Sequence, residues 1–293
     1  MPRFSSPQKQ AASVIKQLQG NILKSVSTAN NYEKSLTQIA KYIQENQLGS
    51  LRKITPEAAN MYLEYRKQQV GQKTLDMERQ ALQCMMIHVT KQLNHTQKLL
   101  VIESELDEAL KTRSYPAHQI KMIIEAQLPH NALATEIAAA AGLRAHELLT
   151  LQPVHQKAAD LRPSLGTKWH GLNGDRFTVT GKGGLTREVV IPTHLSEQLQ
   201  ARKLTHPIQK IDRGIYYVQH YDIAGGLNWS SSFSSASKRI LGWSNGAHGL
   251  RHSYAKSRMD TLQRLGLSRA LALETVSQEM GHFRPEITKV YLR

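Results

Sequence analysis

A single cysteine in 293 residues excludes an internal disulfide. Cys84 stands among Met85, Met86 and Ile87, the setting of a buried structural thiol and not of a reactive one. No apolar run approaches the roughly 20 residues that cross a bilayer, and the opening MPRFSSPQKQ lacks the apolar core of a signal peptide. A cytoplasmic protein without a membrane partner is expected. No Gly-x-x-x-x-Gly-Lys-Ser/Thr loop occurs, which argues against ATP use, and no cofactor is expected. Acidic residues are scarce as well: 23 stand against 38 Lys and Arg, a net charge of +15. Residues 1–110 carry 14 basic and 10 acidic residues (+4), and residues 111–293 carry 24 and 13 (+11). A polyanion is the natural partner for such an excess, because neutralised phosphates release counterions and drive binding. A solvated basic surface or attraction to acidic lipid would also give a positive charge, but neither would order Arg, Lys and His into motifs.

The length suits two domains, and 40% hydrophobic content is enough to give each a core. A short helix is expected over 7–23. A longer one follows a Ser27-Thr28 cap, with Tyr32, Leu36, Ile39 and Ile43 at helical spacing up to Gly49. Thr55-Pro56-Glu57 opens a helix to about Gln69, and a further helix is expected from Thr74 to Leu93. A short helix is possible at Glu103–Leu110, before a domain boundary near Thr112. Beyond it Pro116 opens a helix, and NALATEIAAAAG forms another that stops at Gly142. Residues 153–174 show no alternation and read as an inserted loop, which leaves a first sheet strand in doubt. The β-branched runs 176–180 and 187–191 flank Gly181-Lys182-Gly183-Gly184 as a hairpin. Helices resume near Thr193, and Ser230–Leu241 gives another. Apart from the serine cluster at 230–237 there is no low-complexity tract, and there is no internal repeat.

The chemistry concentrates between His248 and Tyr291. His248 and Arg251 of HGLRH are three residues apart, so a helix would set a proton-transfer group beside a two-pronged phosphate ligand. His282 of MGH and Tyr291, nine residues later, add a donor and a nucleophile. A phosphodiester is anionic, and its pentavalent transition state spreads further charge over the non-bridging oxygens, where fixed positive donors are needed. Arg144 and Arg251 suit that task. A phenol, with a reference pKa near 10, needs help to lose its proton, and His248 or His282 can accept it. His248 and His252 also have the i, i+4 spacing of a zinc pair, but no carboxylate or cysteine stands near as third ligand, so no metal is expected.

The order of these residues resembles the C-terminal signature of tyrosine recombinases of the phage-integrase and Xer type, in which a His-x-Leu-Arg-His box precedes Leu-Gly-His and a nucleophilic tyrosine. Met280 here replaces the leucine. AGLRAHELLTL resembles the family's first arginine box, VTGKGGLTREVVIP its lysine-bearing hairpin, and TANNYEKSLTQIAKYI with KITPEAANMYL its core-binding domain. The resemblance implies a mainly α fold with a small antiparallel β-sheet: a helical, SAM-like core-binding domain over 1–111 and an α+β catalytic domain over 112–293.

By the same resemblance Arg144, Lys182, His248, Arg251, His282 and Tyr291 are catalytic, with Lys182 protonating the departing 5′ oxygen. Glu147 and His252 would support them, although Glu147 reads equally as a helix-face charge. The implied function is a site-specific recombinase or integrase, of the kind carried by mobile genetic elements, that works through a 3′-phosphotyrosyl intermediate. The implied partners are double-stranded recombination sites, a homotetramer on paired sites and accessory DNA-bending proteins. The alternatives are a type IB topoisomerase-like relaxer and a non-catalytic DNA-binding accessory protein; the intact residue set argues against the second.

Three departures qualify the match. The arginine-to-lysine interval is 38 positions, longer than usual because of 153–174. No arm-site-binding module is expected before residue 12. Only Leu292 and Arg293 follow Tyr291, where the family continues into a further helix; the expectation is either a natural chain longer than this one or coupling between subunits through another surface, with 153–174 as the candidate.

Overall fold

A computed structural model describes residues 5–107, 112–282 and 284–293, with Lys182 described in its backbone only. The chain divides into two units, Met1–Ala109 and Leu110–Arg293.

The first unit is helical. Ser6 caps α1 (Pro7–Leu18) by accepting from the Lys9 N–H, and Pro7 fills the first position, where no N–H is needed. Ser25, two residues before the expected cap, starts α2 (Val26–Glu45) by accepting from Thr28 N–H. Thr55 caps α3 (Pro56–Arg66) as expected, and Gly71 precedes α4 (Gln72–His88). Both helices stop short of the expected ends at Gln69 and Leu93; after α4, the β-branched pair Val89-Thr90 returns its N–H groups to the Met85 carbonyl and closes the helix. Val14, Ile15 and Leu18 of α1 meet Leu36, Ile39 and Ile43 of α2 and Leu82, Met85 and Met86 of α4 in one core. Glu78 is buried there and held by the Tyr62 hydroxyl at 2.8 Å and the Arg66 fork at 2.9 and 3.0 Å, so its charge is paired. Cys84 packs against the same core, and burial pushes its thiol pKa up. Of the possible helix at Glu103–Leu110, residues 103–107 are not helical and the rest lie outside the described residues.

The second unit is mixed. Ala117–Glu125 (α5) and Pro129–Ala141 (α6) lead to Gly142, whose left-handed conformation (φ 59°) ends α6 as expected; the N–H groups of Gly142 and Leu143 both return to the Ala138 carbonyl. A three-stranded antiparallel sheet follows, in the order β1 (Gln152–Pro153), β2 (Asp175–Thr180), β3 (Thr186–Ile191). The doubted first strand exists. Only two residues long, it could show no alternation, and its proline is tolerated because the strand is an edge. The segment after it is tied to its own unit. Asp160 exchanges bonds with Thr186, the Leu165 N–H donates to Gln278, Thr167 meets Thr275, and the Trp169 N–H donates to Glu279. Residues 160–164, at the outer end, are all exposed.

After α7 (Thr193–Gln200) the expectation of helix alone fails. A second antiparallel sheet forms from β4 (Lys203–Asp212) and β5 (Ile215–Tyr221), turning through Arg213-Gly214 with positive φ at both residues, the geometry that matches strand twist. Pro207 and a register shift between Lys203 and Ile208 break the period-two pattern that would have shown it. The small sheet expected from the sequence is therefore two sheets. Helix α8 (Gly226–Leu241) starts four residues earlier than expected, with its Leu227 N–H bonded to Asp212 Oδ1 at 2.7 Å. The unit closes with α9 (Gly249–Arg264), α10 (Arg269–Glu279), α11 (Pro285–Lys289) and a single 3-10 turn, Val290–Leu292. No described helix is long and apolar enough to cross a membrane.

Gly142 ties the end of α6 to α9. A Cβ there would lie 2.6 Å from the Tyr254 ring, and its carbonyl accepts from Arg251. Gly142→Ala is expected to cost more than about 1 kcal/mol through the left-handed backbone alone, with the Tyr254 clash added. All three tryptophans lie in this unit, so a lowered urea midpoint in tryptophan fluorescence is the check.

Candidate active site

The turn after Gly142 sets the first two residues. The Glu147 N–H donates to the Arg144 carbonyl, and the Arg144 N–H donates back to Glu147 Oε2 at 2.8 Å. Arg144 Nη1 reaches Glu147 Oε1 at 2.7 Å. Glu147 has no exposed surface and meets two further guanidiniums, Arg187 Nη2 at 2.9 Å and Arg251 Nη1 at 3.9 Å. Burial alone would raise its pKa, but Arg187, Arg251, Arg144 and the Arg144 N–H together hold it well below the usual carboxylate range. Glu147 is an ion-pair centre and not a helix-face charge.

Arg251 and His252 lie in the first turn of α9, with His248 as the residue just before it. Arg251 is fully buried; its Nη1 donates to the Gly142 carbonyl and its Nη2 to the Met280 carbonyl at 3.0 Å. Loss of hydration, then the charge of Arg144, lowers its pKa to about 10, so it remains a cation at neutral pH. Its fork is therefore aimed inward at carbonyls, and Arg144, with a quarter of its side chain exposed, is the accessible guanidinium.

The turn after α10 delivers His282. Its Nε2 lies 3.2 Å from Arg144 Nη2 and 3.4 Å from Arg251 Nη2, and its Nδ1 lies 3.0 Å from Thr288 Oγ1. Guanidinium nitrogens only donate, so Nε2 accepts, the ring is neutral, and Nδ1–H donates to Thr288. The electrostatics agree: burial first, then Arg251, Arg144 and Arg187, pull the His282 pKa down to about 3. His252 falls to about 4, through burial and then Arg113, with an unpartnered, buried Nδ1. His248 also falls to about 4 for the same first reason, then through Arg251, His252 and Arg144. His248 is exposed, and solvent screens that effect.

Tyr291, in the last 3-10 turn and 8% exposed, completes the group. Its ring centre lies 4.8 Å from that of His252, 5.3 Å from His282 and 5.5 Å from His248, and the Arg251 Cζ stands 5.5 Å from it. The structure thus brings together Arg144, Glu147, His248, Arg251, His252, His282 and Tyr291. Lys182 begins the β2–β3 turn, but its side chain lies outside the described residues. His248 and His252 are side by side, their ring centres 5.7 Å apart, and among the described residues no group of three His, Cys, Asp or Glu could hold a metal.

Three partners were not read from the sequence: Arg187, Thr288 and Glu279. Arg187 carried a signal, since a charged residue in a β-branched strand is buried only when paired. Thr288 and Glu279 carried none.

The fold is that of known DNA-recombining enzymes. The XerH site-specific recombinase in a post-cleavage complex with palindromic difH substrate matches with a TM-score of 0.58 and 18% identity, over 98% of this chain and 85% of that one. A lambda integrase tetramer bound to a Holliday junction matches at 0.60 and 16%, over 97% and 76%. The Tn1549 transposon integrase in complex with circular intermediate DNA matches at 0.54 and 13%, over 99% and 96%. No family model matches the chain, and no curated protein matches it in sequence. The chain thus has the tyrosine recombinase and integrase fold.

The depressed imidazoles make acid stability a readout of the site. Between the unfolded value of 6.5 and the folded values near 4 and 3, the unfolded chain binds protons that His252 and His282 refuse in the native state. Stability is then fully present above about pH 6.5 and falls as pH drops through that window. His282→Gln, which keeps an acceptor for the arginines, should show a smaller fall in melting temperature between neutral and mildly acidic pH; an unchanged fall counts against the neutral imidazole.

Proposed function

We propose that the protein is a site-specific recombinase or integrase that cuts and rejoins double-stranded DNA through Tyr291. The observation that carries this reading is the meeting of one tyrosine ring with three neutral-leaning imidazoles and a guanidinium, beside a second, accessible guanidinium. In the proposed step the Tyr291 oxygen attacks phosphorus as its proton passes to a neighbouring imidazole. The bond to the 5′ oxygen breaks, that oxygen takes a proton from Lys182, and a 3′-phosphotyrosyl link remains. Religation runs the same exchange backwards and needs no external energy source. Arg144 meets the phosphate and donates to its non-bridging oxygens, and the buried Arg251 adds its positive charge to the site from behind.

Around this centre the +11 charge of residues 111–293 supplies phosphate contacts, and the helical unit is assigned to the core-binding role. Assembly as a tetramer on paired sites, with accessory DNA-bending proteins, belongs to the same proposal and is supported for the tetramer by the likeness to a lambda integrase tetramer on a Holliday junction. A type IB relaxer shares the covalent step but uses one duplex.

The central test is a duplex nicked near the cleavage position. Wild-type protein should form a covalent adduct, and Tyr291→Phe should bind the same DNA with unchanged affinity and form none. An adduct with the phenylalanine variant would refute the assignment. Joining of two duplexes by the wild type marks a recombinase, and relaxation of supercoils without joining marks a relaxer.

Arg144 gives a separate prediction. Arg144→Ala should slow adduct formation by at least about a hundredfold, the scale of losing one transition-state donor. Arg144→Lys should recover little, because a point charge cannot bridge Glu147 and a phosphate as the planar fork does. Single-turnover rates on the nicked duplex measure both.

A further inference from the structure

Buried charge on the inner face of a sheet calls for an explanation. Arg187 of β3 pairs across the sheet with Val179 and lies on the face that carries Phe177 and Val189 into the core, with 6% of its surface exposed. It touches neither Tyr291 nor the accessible side of Arg144. Its two terminal nitrogens are divided between two elements: Nη2 donates to Glu147 Oε2 at 2.9 Å, and Nη1 donates to the Glu279 carbonyl at 2.8 Å. The first element holds Arg144, and the second is the last residue of α10, three positions before His282.

We infer that Arg187 is a positioning residue that fastens the arginine turn at 144–147 to the turn that presents His282, and so fixes the spacing of the phosphate site. The kinetic part of this inference rests on the recombinase reading.

Three observations support it. The contacts form a closed circuit: Arg187 to Glu147, Glu147 to Arg144, Arg144 Nη2 to His282 Nε2 at 3.2 Å, and back along the α10 turn to the Glu279 carbonyl. Next, the turn is shaped around the Arg187 side chain. Gly281 has φ 72°, and a Cβ there would sit 2.5 Å from Arg187 Cδ, which gives the glycine before His282 a steric reason. Lastly, Glu279 is itself immobilised: its carboxylate accepts from Tyr254, from two nitrogens of Arg258 and from the Trp169 N–H, so the carbonyl that Arg187 grips belongs to a rigid residue. Arg187 also adds to the positive field that keeps His282 neutral. A fork with two separated donors suits this bridge; one ammonium nitrogen does not reproduce its geometry.

Arg187→Lys and Arg187→Gln test the inference, each retaining a donor toward one of the two acceptors. Folding is checked by near-ultraviolet circular dichroism. Both variants should bind nicked duplex as the wild type does, yet form adduct at least about tenfold more slowly at saturating DNA, the consequence of a displaced reacting group. In DNA-free protein, nitrogen NMR of the His282 ring should show a single Nδ1–H tautomer in the wild type, and mixed tautomers with protonation at higher pH in the variants. Wild-type rates and unchanged His282 signals in a folded variant would overturn the inference. So would unfolding of both variants, which would make Arg187 a core residue and nothing more. If wild-type protein forms no adduct, the recombinase reading falls, and the His282 spectra alone decide the role of Arg187.

Discussion

One carboxylate with three guanidiniums is the interaction on which the C-terminal unit depends. Glu147 is fully buried, and removing such a charge from water costs several kcal/mol even after the protein relaxes. It is tolerable because Arg144, Arg187 and the Arg144 N–H bond it directly, with Arg251 just beyond. Each partner comes from a different element: the turn after α6, strand β3 and helix α9. Satisfying Glu147 therefore fixes three elements at once. The second buried carboxylate, Glu279, does the same for α9, α10 and the 165–170 stretch through Arg258, Tyr254 and Trp169. Arg187 joins the two centres.

Much of this was legible in the sequence, and the limits are physical. Helices with a local signal were readable: α2 from its regular apolar spacing and α3 from its Thr55 cap and Pro56. The ends of α1, α3 and α4 were not: α1 stops at Leu18 and not at residue 23, because a helix end depends on where the chain must leave the core. The β2–β3 hairpin was readable from its β-branched runs and glycine turn. The β4–β5 hairpin was not, because Pro207 and a register shift erase the alternation. The site residues were legible through the order of their motifs and not through any single spacing: Arg144 and His282 are 138 positions apart in sequence yet in contact at 3.2 Å. Arg187 escaped because its partners are known only once β3 lies beside α10 and the arginine turn, and Thr288 because its bond to His282 depends on the turn between α10 and α11.

The inserted segment shows how an irregular stretch acquires a place. Without a pattern of its own, it borrows backbone partners from α9 and α10, giving its N–H groups to Gln278 and Glu279 and its His170 carbonyl to Arg258. Where such a loop packs against the core, as at the buried Trp169, its polar backbone has to be satisfied in this way. The parts that bond α10 are held against it, and 160–164 is the longest outward-facing run of the segment.

The charge distribution explains why the histidines are neutral and what an anion would do to them. Three guanidiniums against one carboxylate leave the centre positive, and burial makes each added proton more costly still. His282 resolves the conflict by accepting from both arginines, so its Nε2 lone pair is engaged. A phosphodiester entering beside Arg144 would compete for those same N–H groups. Its negative charge would also oppose the field that depresses the imidazoles, raising their proton affinity at the moment a proton acceptor is required. In the proposed reaction, binding and activation of the imidazoles are then one electrostatic event, set off by the accessible Arg144 and transmitted to the buried Arg251 through the ring of His282.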